Sequence, residues 1–67
     1  MNDDAVHVLV GSNHWIVTRV QPQLNARHSS LEAATEYARD VATRDRGVLL
    51  IHDALGAVAA RESYRHA

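Results

Sequence analysis

Ser29-Ser30-Leu31-Glu32-Ala33-Ala34-Thr35-Glu36-Tyr37-Ala38-Arg39-Asp40-Val41-Ala42-Thr43-Arg44-Asp45-Arg46-Gly47-Val48-Leu49-Leu50-Ile51, residues 29–51, reads as a helix start, a helix stop and a buried strand in immediate succession. Ser29 and Glu32 fit a capping box, hydroxyl and carboxylate each satisfying free amides at the helix entry. Leu31, Ala34, Tyr37, Ala38, Val41 and Ala42 recur at three- and four-residue steps. They make one apolar stripe, rich in small side chains, that lets a helix axis lie close to a sheet. Glu32, Glu36, Arg39, Asp40, Thr43 and Arg44 form the solvated side, with Asp40 and Arg44 in the favourable i, i+4 order. Gly47 reads as the left-handed stop, so the spacing predicts a helix over 30–46. Val48-Leu49-Leu50-Ile51 then reads as a central strand buried on both faces.

On the N-terminal side, Val6, Val8 and Val10 alternate with His7 and Leu9, and Gly11-Ser12-Asn13-His14 is a turn cluster. A four-residue loop places Val10 opposite Trp15 and Val8 opposite Val17, which gathers Val6, Val8, Val10, Trp15 and Val17 on one face. Pro22 ends this hairpin, and Leu24 to His28 is a short extended piece for the sheet edge. On the C-terminal side, Asp53-Ala54-Leu55-Gly56 turns the chain into a weaker strand, Ala57-Val58-Ala59-Ala60, followed by a polar tail from Arg61. Strand pairs over 5–20 and 48–61 around one helix give an α+β fold. It is a small ββαββ domain with an antiparallel-rich sheet and one helix packed on one face. It is expected as a single domain over 1–67 with an ordered core of about 5–64.

At 67 residues without cysteine, the chain has no disulfide staple and no Cys-based zinc or thiol chemistry. Its seven basic residues are all arginine, and the formal net charge is −1 with five histidines counted neutral. That balance does not supply the basic footprint of a typical nucleic-acid binder. The acidic start Met1-Asn2-Asp3-Asp4 and the short apolar runs predict a cytoplasmic protein with no membrane contact.

His7-Val8, Trp15-Ile16-Val17, Ala26-Arg27-His28, Glu32-Ala33-Ala34, Gly47 with Leu50 and His52, Gly56, and Glu62-Ser63-Tyr64 together resemble the bacterial domain-of-unknown-function family 2188. The resemblance spans His7 to Tyr64. Departures lie in the turns and tail: His14 before the tryptophan, no charged residue before Gly56, Glu62 in place of Asp, and Arg65 in place of Gly. The resemblance implies the same ββαββ fold and carries over no catalytic or binding residue.

No constellation reads as an active site, and no enzyme activity, cofactor or metal is expected. His7 and His52 are the one pair of imidazoles that strand geometry could bring together for zinc or nickel, yet neither Cys nor a flanking carboxylate completes a set. His52 and Asp53 are adjacent on a strand and so point to opposite faces. Trp15 between Arg19 and Arg27 could stack a base, but paired with Val10 it is the largest core residue. One helix covers only one sheet face. The other face is expected to be a homodimer interface of His7, Leu9, Ile16, Thr18 and Ile51, which makes the protein a non-catalytic interaction module, with an unknown protein partner as a further occupant. The alternative is a small sheet-plus-helix module that binds DNA or RNA through Arg19, Arg27, Arg61 and Arg65.

Overall fold

The computed structural model describes residues 4–20 and 22–65. Five strands and one helix follow in the order β1 (Val6–Val10), β2 (Trp15–Arg19), β3 (Leu24–His28), α1 (Leu31–Arg44), β4 (Val48–His52) and β5 (Val58–Ser63). They form one mixed sheet ordered β3-β2-β1-β4-β5, in which β1 and β4 run parallel and every other pair is antiparallel. The α+β, ββαββ-type architecture is the expected one, with Leu24–His28 a full edge strand. The centre of the sheet is β1 rather than β4. Residues 61–63, read from the sequence as tail, extend β5 because they pair with Val48, Leu49 and Leu50.

The β1–β2 register is the one that the four-residue loop dictates, with Val8 opposite Val17 and Val10 opposite Trp15. Helix α1 packs over β1, β2, β3 and β4. Its Ala34, Ala38, Val41 and Ala42 close onto Val6, Val8, Val17 and Leu49, and Trp15, Leu24, Ala26, Tyr37, Ile51 and Tyr64 pack around this cluster. Three alanines at four-residue steps bring the helix near the sheet, so valines suffice to fill the layer. Trp15 is half-buried against the core, on the helix side. Leu31 departs from its expected place: it lies in the first turn, before the helix comes over the core, and is 45 % exposed.

Both helix ends differ from the sequence reading by one residue. Ser30, not Ser29, is the N-cap; its Oγ accepts from the Ala33 amide at 3.1 Å, and Glu32 is then one position too early for a capping box. At the other end Arg46, not Gly47, takes the left-handed conformation, at φ 53°. The Arg46 amide donates to Thr43 O at 3.3 Å and the Gly47 amide to Ala42 O at 2.8 Å, the two bonds of a Schellman stop. Gly47 is buried instead, and its carbonyl accepts the Tyr64 amide at 2.8 Å, tying the helix exit to the end of β5.

Arg19, 9 % exposed, donates to the Pro22 carbonyl at 2.8 Å and to Asp45 at 2.7 Å, locking the end of β2 to the helix C-terminus. The bond to Arg19 outweighs the opposing effect of desolvation and holds the Asp45 carboxyl below its usual range. Among the described residues no helix is long and apolar enough to cross a membrane.

Candidate functional site

Strand alternation and the ladder register fix what the helix leaves uncovered. Asn25, Thr18, His7, Leu50 and Arg61 are successive partners across all five strands, so they share one row on one face. Arg27, Ile16 and Leu9 form the neighbouring row, which His52 and Val58 continue on the far side. The face therefore has an apolar centre of Leu9, Ile16 and Leu50, with its guanidinium groups on the two edge strands. His7, Leu9, Ile16, Thr18, Leu50 and His52 are all half-buried, shielded by their neighbours. The most exposed large apolar side chains, Leu55 at 93 % and Val20 at 66 %, lie outside the strands.

Of the five residues assigned to this face from the sequence, His7, Leu9, Ile16 and Thr18 lie on it. Ile51 does not. It pairs with Val8 and packs against the buried cluster under the helix, so Leu50 and His52 face outward in its place. Val48-Leu49-Leu50-Ile51 is apolar throughout and has no alternation from which its facing could be read; the Val6–Leu49 pairing sets it.

The two imidazoles converge. His7 Nδ1 lies 2.9 Å from His52 Nε2, and the ring centroids are 5.1 Å apart with planes tilted by 31°. That centroid distance is what a head-on bond between two five-membered rings produces, each nitrogen one ring radius from its centre. His52 Nδ1 lies 3.0 Å from the Gly56 carbonyl, which can only accept, so Nδ1 carries the His52 proton. In the neutral ring Nε2 is then the acceptor, and His7 Nδ1–H donates to it. The carbonyl is presented by a turn that Asp53 organises: its Oδ1 accepts the Leu55 and Ala57 amides at 2.9 and 3.0 Å, and Gly56 takes φ 86°.

Charge is segregated between the two sides. No strand residue on the open face is acidic, and among the described residues neither the Arg27 nor the Arg61 guanidinium has an ion-pair or hydrogen-bond partner. On the helix side, Arg39 clasps Glu62 through Nε at 3.0 Å and Nη2 at 2.8 Å, and the Tyr64 hydroxyl donates to the same carboxylate. The Arg39 bond first, and the Tyr64 bond second, bring the Glu62 carboxyl from 4.5 down to about 2. Bonding to Glu62 raises the Tyr64 hydroxyl. The members of this cluster satisfy one another's hydrogen bonds. Among the described residues no group of three or more His, Cys, Asp or Glu side chains converges on a point where an ion could sit.

Residues 6–64 match a family model described as an uncharacterized protein conserved in bacteria, DUF2188. No curated protein and no solved structure is significantly similar to the chain.

Proposed function

The chain belongs to the DUF2188 family, and from that premise and the geometry of the sheet we propose that it is a non-catalytic interaction module that pairs with a second copy of itself through the open face. The reading rests on the distribution of side chains over that face: Leu9, Ile16 and Leu50 at the centre, arginines only on the outer strands. A two-fold stack of two such faces buries the apolar centres against each other and leaves Arg27 and Arg61 at the rim in water. A domain of 67 residues has little core of its own, so doubling the buried layer is a large gain.

Ile16→Glu, examined by sedimentation at micromolar concentration and by thermal melting, is the test. A carboxylate at the centre of the stack is expected to separate the chains and lower the melting temperature together. A variant as dimeric and as stable as the parent removes the proposal.

A second reading, nucleic-acid binding, draws on the unpaired Arg27 and Arg61 and the absence of strand carboxylates on the same face. Against it, Trp15, Tyr37 and Tyr64 all pack around the core cluster, which leaves no indole or phenol ring on the open face for stacking bases. Fluorescence polarisation with mixed single- and double-stranded oligonucleotides at low salt, at pH 6 and pH 7.5, is expected to show no binding to the parent chain. Binding that is lost in the Arg27→Ala, Arg61→Ala double variant would favour this reading over the dimer.

A further inference from the structure

We propose that His7 and His52 are one half of a shared transition-metal site, completed by the same two residues of a second copy across the open face. The inference rests on the face-to-face dimer. His52 already has the arrangement of a metal-ligating histidine: Nδ1–H is held by the Gly56 carbonyl at 3.0 Å, and the Nε2 lone pair is directed at His7 Nδ1. A backbone carbonyl on the far nitrogen fixes the tautomer and raises the basicity of the ligating one. His7 presents Nδ1 to the same point. Moving its ring proton from Nδ1 to Nε2 frees a second lone pair with no net gain or loss of protons.

The distances suit an ion in place of the shared proton. Zinc–nitrogen bonds of about 2.0–2.1 Å in a tetrahedral site set ligand nitrogens about 3.4 Å apart. The pair, now at 2.9 Å and head-on, has to open by about half an ångström, and each ring has to turn by roughly 35° so that both lone pairs aim at an ion beside the line between them. Among the described residues one chain brings two ligands to this point, with no third metal-ligating side chain converging on them. Stacked sheets stand about 10 Å apart, so an ion at the mid-plane lies about 5 Å from each, within the length of a histidine side chain. His7 sits on β1, the central strand, where the two-fold of a face-to-face pair passes nearest. An all-imidazole set without carboxylates selects zinc, nickel or copper over magnesium or calcium.

The experiment uses the untagged full chain with zinc chloride alone as the probe, followed by sedimentation and calorimetry and reversed with a chelator. We expect one zinc ion per two chains and a dimer dissociation constant lowered by roughly tenfold or more. Magnesium should leave it unchanged. His7→Ala and His52→Ala should each abolish the zinc response, whereas His14→Ala, in the β1–β2 turn, should keep it. Should His52→Ala unfold the turn, the ¹⁵N shifts of His7 Nδ1 and His52 Nε2 in the parent chain decide: both move on zinc binding, and unmoved shifts overturn the site. A dimer that forms without metal and ignores zinc overturns the site and leaves the dimer standing. One ion bound per chain without tighter pairing also overturns it. A chain that stays monomeric with and without zinc overturns both.

Discussion

Arg46 holds a left-handed backbone at φ 53° that a side chain enters only at a cost of about 1–2 kcal/mol. Glycine there removes the clash but frees the unfolded chain, so Arg46→Gly should raise stability by roughly 0.5–1 kcal/mol in denaturant unfolding. Ser30→Ala should lower it by about 1 kcal/mol through the lost bond to the Ala33 amide, and Ser29→Ala should change little. His28 offers the opposite case. Its ring lies 5.1 Å from that of Tyr37, and its Nε2 is buried with no hydrogen-bond partner among the described residues. His28→Phe keeps the ring contact and deletes the orphaned polar atom, so the unfolding midpoint should rise by the equivalent of about 1 kcal/mol. None of these three positions was legible in full. A Ser-Ser pair permits either residue as cap, and a glycine two residues past the helix is the usual stop, so the one-residue offset needs the backbone itself.

Among the elements, β5 is tied to α1 by the Arg39–Glu62 pair and the Tyr64 hydroxyl. Glu62 has a folded-state value of about 2 against 4.5 for the free group, and a lowered carboxyl stabilises only while ionised. Its contribution is complete above pH 4.5 and is lost as the pH falls toward about 2. Asp45, lowered by its bond to Arg19, acts in the same direction. Melting temperature should therefore fall across that acid range, and Glu62→Gln should flatten the fall, with Asp45 carrying the remainder. The first hairpin was readable from sequence down to its register, because strict alternation on both sides of a four-residue loop admits one pairing. The second was not: Val48–Ile51 shows no alternation, and its facing comes from the contact with β1. Four of the five expected open-face residues come from the readable hairpin, and the misplaced one, Ile51, comes from the other.

For the molecule as a whole, the pairing proposed for the open face would make stability and assembly one equilibrium, so the melting temperature should then rise with protein concentration over the micromolar range. A melting temperature independent of concentration would mean that the fold closes without a partner. The parallel pairing of β1 with β4 has a separate consequence, in the order of synthesis. The three N-terminal strands are complete once residue 28 is made, but β1 keeps a bare edge until β4 emerges some twenty residues later. Throughout that interval the nascent chain carries the middle strand of the sheet as an unpaired edge, a template for pairing with neighbouring chains. Helix α1 is synthesised within the same window, and by settling on Val8 and Val17 it buries one side of that strand before its missing neighbour arrives. A fragment truncated after Gly47 should accordingly aggregate in light scattering where the full chain stays dispersed, even though it retains every residue of the helix and of the first three strands.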